Sequence, residues 1–323
     1  AIPGINATAR SNVVFNAEFA YMIPGHKKVD NNPGYAYLDD FESTETTIDL
    51  RYPYYWHLAS TPSDPSSSAL FPEAIKTNST EYGMNRALFS WFTIDNTVFN
   101  RSNSQTPEHI RRNKDLQSNH LTREVKEQEL FPNRDAILGQ SSYLPMLNVS
   151  IYLTERGPYN LSADEIGVDG KLTNPAQRWG GIMRKLDNTD FEKANIEYIE
   201  FWLMDPFLTN PDAAFAGGDL YIDLGDVSED ILRDGKKSFE HGLPLNGEQS
   251  MVDNTVWGRA PKTTSTTVAF ANEAGAREKQ DVGVNGLSTA DEFLFEYNGA
   301  KPYADYVSAL KGKVDPTVLA LWE

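Results

Sequence analysis

The chain has no cysteine, which excludes disulfides, thiolate metal sites and a cysteine nucleophile. It has no run of about 18 apolar residues, so no segment reads as a membrane-spanning helix. Basic side chains are in short supply: 29 Lys and Arg stand against 46 Asp and Glu, a net charge of −17. A field of that sign repels phosphate backbones and anionic lipid, which removes nucleic acid from the expected partners. Histidine is scarce as well, with five residues scattered singly, and each reads as structural. HExxH, GxSxG and a Walker loop are all missing. The chain begins Ala1-Ile2-Pro3-Gly4, without an initiator methionine or a charged-then-apolar signal segment, and reads as a piece of something longer.

What is present favours β structure. Hydrophobic residues make up 40% and charged residues 23% of 323 positions, enough to bury a core in one large or two medium domains. The aromatic load of 16 Phe, 15 Tyr and 6 Trp suits sheets. In 195–207, NIEYIEFWLMDPF, the parity of a strand puts Ile196, Tyr198, Trp202 and Met204 on one face and Ile199, Phe201 and Leu203 on the other. A strand apolar on both faces is expected in the middle of a layered structure, ended by Pro206, and Trp202 is expected in the core. DLYIDLG (219–225) alternates with Leu220, Ile222 and Leu224 facing in. LPMLNVSIYL (144–153), RALFSWFTIDNTVF (86–99, with a hairpin near Asp95-Asn96) and TTSTTVAF (263–270) read as further strands. In 12–21, Val13, Phe15, Ala17, Phe19 and Tyr21 share one face, which fits an outer-membrane barrel strand or a soluble edge strand. Breaks are expected at Pro24-Gly25 and Asn31-Asn32-Pro33-Gly34, and a loop over 61–80.

Helices are sparse. Leu121, Val125 and Leu130 are spaced for a short one inside a basic island (101–134), expected to be solvated and paired to acidic surface. Tyr303, Tyr306, Val307 and Leu310 fit another. The fold class expected from these residues is mainly β: a β-sandwich of jelly-roll type with a few short helices and long loops.

Candidate chemistry is thin. Asp39, Asp40, Glu42, Asp205, Asp219 and Asp223 could supply the carboxylate pair of a glycoside hydrolase, which needs two about 5–10 Å apart. Residues 281–292, DVGVNGLSTADE, follow a calcium loop in part. Asp281 takes position 1, Asn285 position 5, Gly286 the turn, Leu287 the carbonyl position and Glu292 the bidentate position. Gly283 stands where a further ligand belongs. The alternative is a glycine turn followed by a helix capped by Ser288, with Asp291 as its box partner. Trp56, Trp91, Trp179, Trp202 and Trp257 are available for stacking on sugar. Trp179 and Trp257, beside glycines in loops, are the better platforms, and packing under loops is the competing role. Five Asn-x-Ser/Thr sequons, at Asn6, Asn78, Asn100, Asn148 and Asn160, are expected by chance in a chain this rich in Asn, Ser and Thr.

Several blocks carry a resemblance. RWGGIMRKLDNTDFEKANIEYIEFWLMDPF (178–207) resembles the SprA/Sov family, the giant outer-membrane translocon barrel of the Bacteroidetes type IX secretion and gliding-motility system. EFAYMIPGHKK (18–28), AYLDDFE (36–42), DLR to WHLAS (49–60), REVKEQELFPNRD (123–135), ERGPYN (155–160), GGDLYIDLGDVSEDIL (217–232) and QDVGVNGLS (280–288) agree in order, over nearly the whole chain. The resemblance implies an internal fragment of a barrel that exports folded cargo. Residues 1–31 would lead from the barrel, 32–300 would form an inserted β-sandwich, and 301–323 a helical segment or linker. The insertion is expected at the extracellular mouth, as a structural or gating domain and not an enzyme, monomeric when isolated. Implied partners are the rest of the barrel, a plug protein, a PorV-like shuttle and exported cargo. No catalytic residue comes with the family. A carbohydrate-binding module at the cell surface is the alternative expectation, and a glycoside hydrolase the third.

Overall fold

The structure, a computed structural model, describes residues 21, 26–29, 32–35, 47–63, 70–95, 98, 103–134, 143–188, 190–194, 196–208, 217–225, 227–236, 240–263 and 269–322. The chain divides into two units, Ala1–Thr47 with Asp190–Tyr198, and Ile48–Thr189 with Ile199–Glu323.

In the first unit, β1 (His26–Val29) and β2 (Asn32–Tyr35) pair antiparallel, with Val29 opposite Asn32. The break expected at 31–34 is therefore a hairpin whose second strand contains Pro33. A two-stranded sheet has only edge strands, where proline is tolerated. The alternating strand expected at 12–21 lies outside the described residues except for Tyr21.

The second unit is built from short antiparallel pairs. Leu58 and His57 form β3 (His57–Leu58), which pairs with β6 (Ile182–Met183). Between them in sequence come β4 (Ala87–Phe92) and β5 (Asn148–Arg156), paired with a bulge between Ala87 and Leu88. β7 (Val252–Thr255) and β8 (Gly258–Pro261) make a tight hairpin. Backbone bonds link the first two pairs into one layer: Ala59 N–H donates to Gly181 O, and Ala87 N–H donates to Trp179 O. The layer is crowded at its crossing. A Cβ on Gly83 would lie 2.3 Å from Tyr159 O, and one on Gly157 2.3 Å from Ala87 O, so only glycine lets these backbones meet.

Among the described residues every sheet has two strands. The buried strand expected at 196–205 is not formed: Ile199–Met204 has no regular secondary structure, and its backbone makes no hydrogen bond among the described residues. Trp202, expected in the core, is 65% exposed and Leu203 72%. Leu220, Ile222 and Leu224, expected to face in, are also exposed and unpaired. The physical reason is the same for both. Apolar alternation records that side chains favour burial; it does not record that the partner strand belongs to the described part of the chain. The strand expected at 86–99 forms as β4 and pairs with β5; a turn follows near Asp95, where Val98 N–H donates to Asp95 O, and residues 96, 97 and 99 lie outside the described residues.

Helices α1 (Glu108–Arg111), α2 (Lys114–Gln117) and α3 (Glu127–Leu130) occupy the basic island. Its cations pair locally, Arg112 with Glu108, Arg123 with Glu129 at 3.0 Å and Arg134 with Glu127 at 2.7 Å. Val125 is buried beside them, while Leu121 is exposed. Toward the C-terminus follow α4 (Ala276–Gln280), α5 (Thr289–Leu294), α6 (Pro302–Leu310) and α7 (Pro316–Leu319). Proline opens α6 and α7, where its missing N–H has no intrahelical partner to lose.

Two apolar cores hold this unit. Tyr306, Val307 and Leu310 of α6 meet Val314 and Leu319, with Ile166, Phe293 and Trp322 packed around them. The second core joins Tyr82, Tyr159, Leu232 and Trp257. Leu310 is 0% exposed at the centre of the first. Leu310→Ala is expected to lower unfolding stability by about 2–5 kcal/mol, read from the urea midpoint at unchanged slope. A loss under about 1 kcal/mol would mean that the α6 face is not a packed core.

Candidate functional site

The densest polar constellation gathers around Glu73, on a 3-10 turn (Pro72–Ile75) opened by Pro72. Glu73 is 0% exposed. Its Oε1 accepts from the Trp179 indole N–H at 2.8 Å, and its Oε2 from the Asn85 amide at 2.9 Å. The Arg178 guanidinium donates to Asn85 Oδ1 and Met84 O, and to Glu165 Oε2 at 2.7 Å. Arg86 lies over the Trp179 ring at 4.6 Å, with Phe71 edge-on to the same ring at 5.5 Å. Burial pushes the Arg86 guanidinium down to about 10, so it stays charged at neutral pH. One of its N–H groups donates to Ala59 O at 2.7 Å; Nε and Nη2 have no partner among the described residues. This arrangement locks segments together and leaves Trp179 a half-buried structural residue with a cation over its ring, not an open platform for sugar.

Trp257 is 5% exposed, within the second core, edge-on to Tyr159 at 5.9 Å. Its ring likewise presents no open face. Of the sequons, Asn160 is fully buried and its amide donates to Arg86 O, so that nitrogen is not accessible for glycosylation.

The 281–292 loop brings Asn285 and Glu292 together, the Asn285 amide donating to Glu292 Oε1 at 2.5 Å. Asp281 instead pairs with Arg277 at 2.9 Å. Gly286 has φ +69°, and a Cβ there would lie 2.4 Å from Arg259 O. The glycine of the calcium pattern is therefore required by packing against β8, where Arg259 N–H donates to Asn285 O. Leu287, at the carbonyl position, is buried. Ser288 caps α5 by accepting from Asp291 N–H. No group of three or more His, Asp or Glu is placed to hold a metal among the described residues.

Asp205, Asp219 and Asp223 are exposed on the unpaired segments; Asp39, Asp40 and Glu42 lie outside the described residues. One open depression of about 510 Å³ contains Glu124 and Glu129. Burial pushes Glu124 up, and a hydrogen bond from Arg123 holds Glu129 down. That divergence resembles an acid/base pair, but Glu129 is tied to Arg123 and to the Lys126 N–H at the start of α3.

A second depression, of about 340 Å³, is lined by Tyr54, Tyr55, His57, Arg184, Lys185 and Asp187. The β3–β6 register builds it. His57 opposite Met183 brings the residues just before β3 beside those just after β6. Pro53 starts a 3-10 turn (Pro53–Tyr55) that turns both tyrosines outward. Their rings lie 4.1 Å apart, and the Arg184 guanidinium sits 4.7 Å from the Tyr55 ring. Sequence reading passed over this place; the signal was the run Tyr52-Pro53-Tyr54-Tyr55, three aromatics around a turn-forming proline.

Compared with protein-family models and with the curated proteins, the chain matches none.

Two outcomes test these assignments. Trp179→Phe keeps an aromatic ring, though a smaller one, and removes the indole N–H, leaving Glu73 short of a donor; stability is expected to fall by about 1–3 kcal/mol. Glu73→Ala strands the Trp179 and Asn85 donors beside a buried cation, and the fall is expected to reach roughly 3–5 kcal/mol. Equal, negligible effects in chemical denaturation would show that the network carries no stability. For the 281–292 loop, millimolar Ca²⁺ is expected to leave the melting temperature unchanged, because Asp281 is held by Arg277. A rise that Asp281→Ala removes would reassign the loop as a calcium site.

Proposed function

We propose that the chain is a non-enzymatic structural and gating domain of an outer-membrane protein-export barrel of the SprA/Sov family, acting at the extracellular mouth. The inserted region is a β-sandwich of jelly-roll type once its partner surfaces are in place. The observation that carries this reading is the exposed apolar chain at 199–204 and 220–224, with Phe201, Trp202, Leu203, Leu220 and Ile222 largely open to solvent and backbone groups unpaired among the described residues. Contiguous exposed apolar surface marks an interaction site, and free strand-forming backbone accepts a partner strand. A domain embedded in a larger barrel, with a plug, a PorV-like shuttle and cargo passing by, meets both requirements. The order of the family-like sequence blocks supports the same assignment.

Carbohydrate binding at the cell surface is the second reading. It is favoured by the exposed tyrosines beside Arg184 and not by Trp179 or Trp257, whose rings are engaged elsewhere.

The test is export by cells whose parent barrel lacks residues 32–300, at equal barrel abundance in the outer membrane. Lost export, or a membrane leaky to small dyes, is expected. A finer version substitutes Trp202→Ser and Leu203→Ser together. The isolated chain should melt at an unchanged temperature, because both side chains are exposed, while export falls. Normal export with an intact barrier in the deletion strain would sink the gating role.

A further inference from the structure

We propose that the depression between Tyr54, Tyr55 and Arg184 binds an acidic sugar: a hydroxylated ring carrying a carboxylate. The inference does not depend on the export role.

Its physical basis is the match between the lining and that ligand. Tyr54 is 65% exposed and Tyr55 46%, in a turn already fixed by Pro53 and by the Trp56 N–H donating to Pro53 O. Flat aromatic surfaces presented on a rigid turn stack on a ring with little ordering cost. Tyr54 and the Arg184 guanidinium both lie against the Tyr55 ring, so the more exposed Tyr54 ring is the stacking surface and a cation is held close to it. Arg184 is positioned by donating to Asp49 O at 2.6 Å. The nearby Asp49 carboxylate neutralises it only in part, because that group is paired chiefly to Arg51 at 2.6 Å and adds a weaker attraction to Arg184. The Arg51 hydrogen bond, above all, holds the Asp49 carboxyl below its ordinary range.

Lys185 follows immediately and pairs with no carboxylate among the described residues. Two adjacent cations against the single Asp187 carboxylate leave the lining net positive on a chain of net charge −17, which selects an anionic group locally against a repelling background. His57 and Asp187 complete the wall with a donor or acceptor for hydroxyls. Among the described residues no Leu, Ile, Val, Met or Ala lines the space, which disfavours an apolar peptide side chain as occupant. The volume of about 340 Å³ lies at the small end of ligand pockets, so it suits one or two sugar rings.

The experiment titrates the whole chain with tri-galacturonate, following tyrosine fluorescence and calorimetric heat. Maltotriose, inorganic phosphate and tri-glutamate are run as separate arms. Saturable binding of tri-galacturonate is expected, with maltotriose roughly tenfold or more weaker, since it lacks the partner of a charge-assisted hydrogen bond. Lys185→Gln and Tyr54→Ala should each weaken tri-galacturonate binding by roughly tenfold. Both residues are exposed, so both variants should keep the wild-type melting temperature, and Arg184→Gln is added only if it does too. Three results overturn the proposal: no saturation by tri-galacturonate at concentrations of about 10 mM, an affinity far below that of useful sites; maltotriose binding equally well; or phosphate or tri-glutamate binding equally well, which would leave a plain anion or acidic-peptide site.

Discussion

A carboxylate removed from water has to find donors for both oxygens, and Glu73 finds them on two other segments. Trp179 and Asn85 supply those donors, and Asn85 passes the connection on to Arg178. Three stretches distant in sequence are thereby fixed to within hydrogen-bond tolerance, because a buried charge left short of partners costs several kcal/mol. The rest of the layer follows. With residue 179 docked beside 85–87, the chain runs on through Gly180 and Gly181 into β6, which sets the β3 register. Gly180 has no room for a side chain there: a Cβ would lie 2.8 Å from Phe89. The buried network contributes specificity of arrangement more than net stability, since Arg86 and Arg178 also bring desolvation costs with them.

How legible this was in the sequence depended on whether the signal was local. The helix face at Tyr306, Val307 and Leu310 is a period within one element, and the element closes on a core supplied by nearby residues. The β5 strand was legible for a similar reason. Val149 and Ile151, which share one of its faces, are nevertheless exposed. For the tryptophans the sequence left two roles open, a platform for sugar and packing under a loop. At Trp179 the following glycine makes room for the Phe89 side chain and the ring is covered by a cation, which is the packed role. The loop at 281–292 shows the same ambiguity. Asn285-Gly286 followed by Glu292 is what a calcium loop needs, and also what a left-handed turn against a carbonyl followed by a capped helix needs. The tyrosine depression was not legible because it forms from two segments some 130 positions apart, brought together by the β3–β6 register and the Arg184 bond to Asp49 O.

The two surfaces argued for function differ in what they require. The tyrosine–arginine depression sits on backbone already hydrogen-bonded into the layer, so its geometry is ready before any partner arrives. The apolar segments at 199–204 and 220–224 have no such support among the described residues. Their alternation suits strands, but a strand exists only against another strand or a covering layer. On the proposed export reading their order is coupled to assembly, since the free energy of covering Phe201, Trp202 and Leu203 is gained against a neighbouring surface. Until then the net charge of −17 works against self-association, since copies of the chain repel one another even where apolar side chains are open. Strong like charge and exposed apolar segments together are the combination that the proposed role, adhering to a specific neighbour and not to itself, requires. An acidic isolated domain with a fully covered core would have needed neither feature.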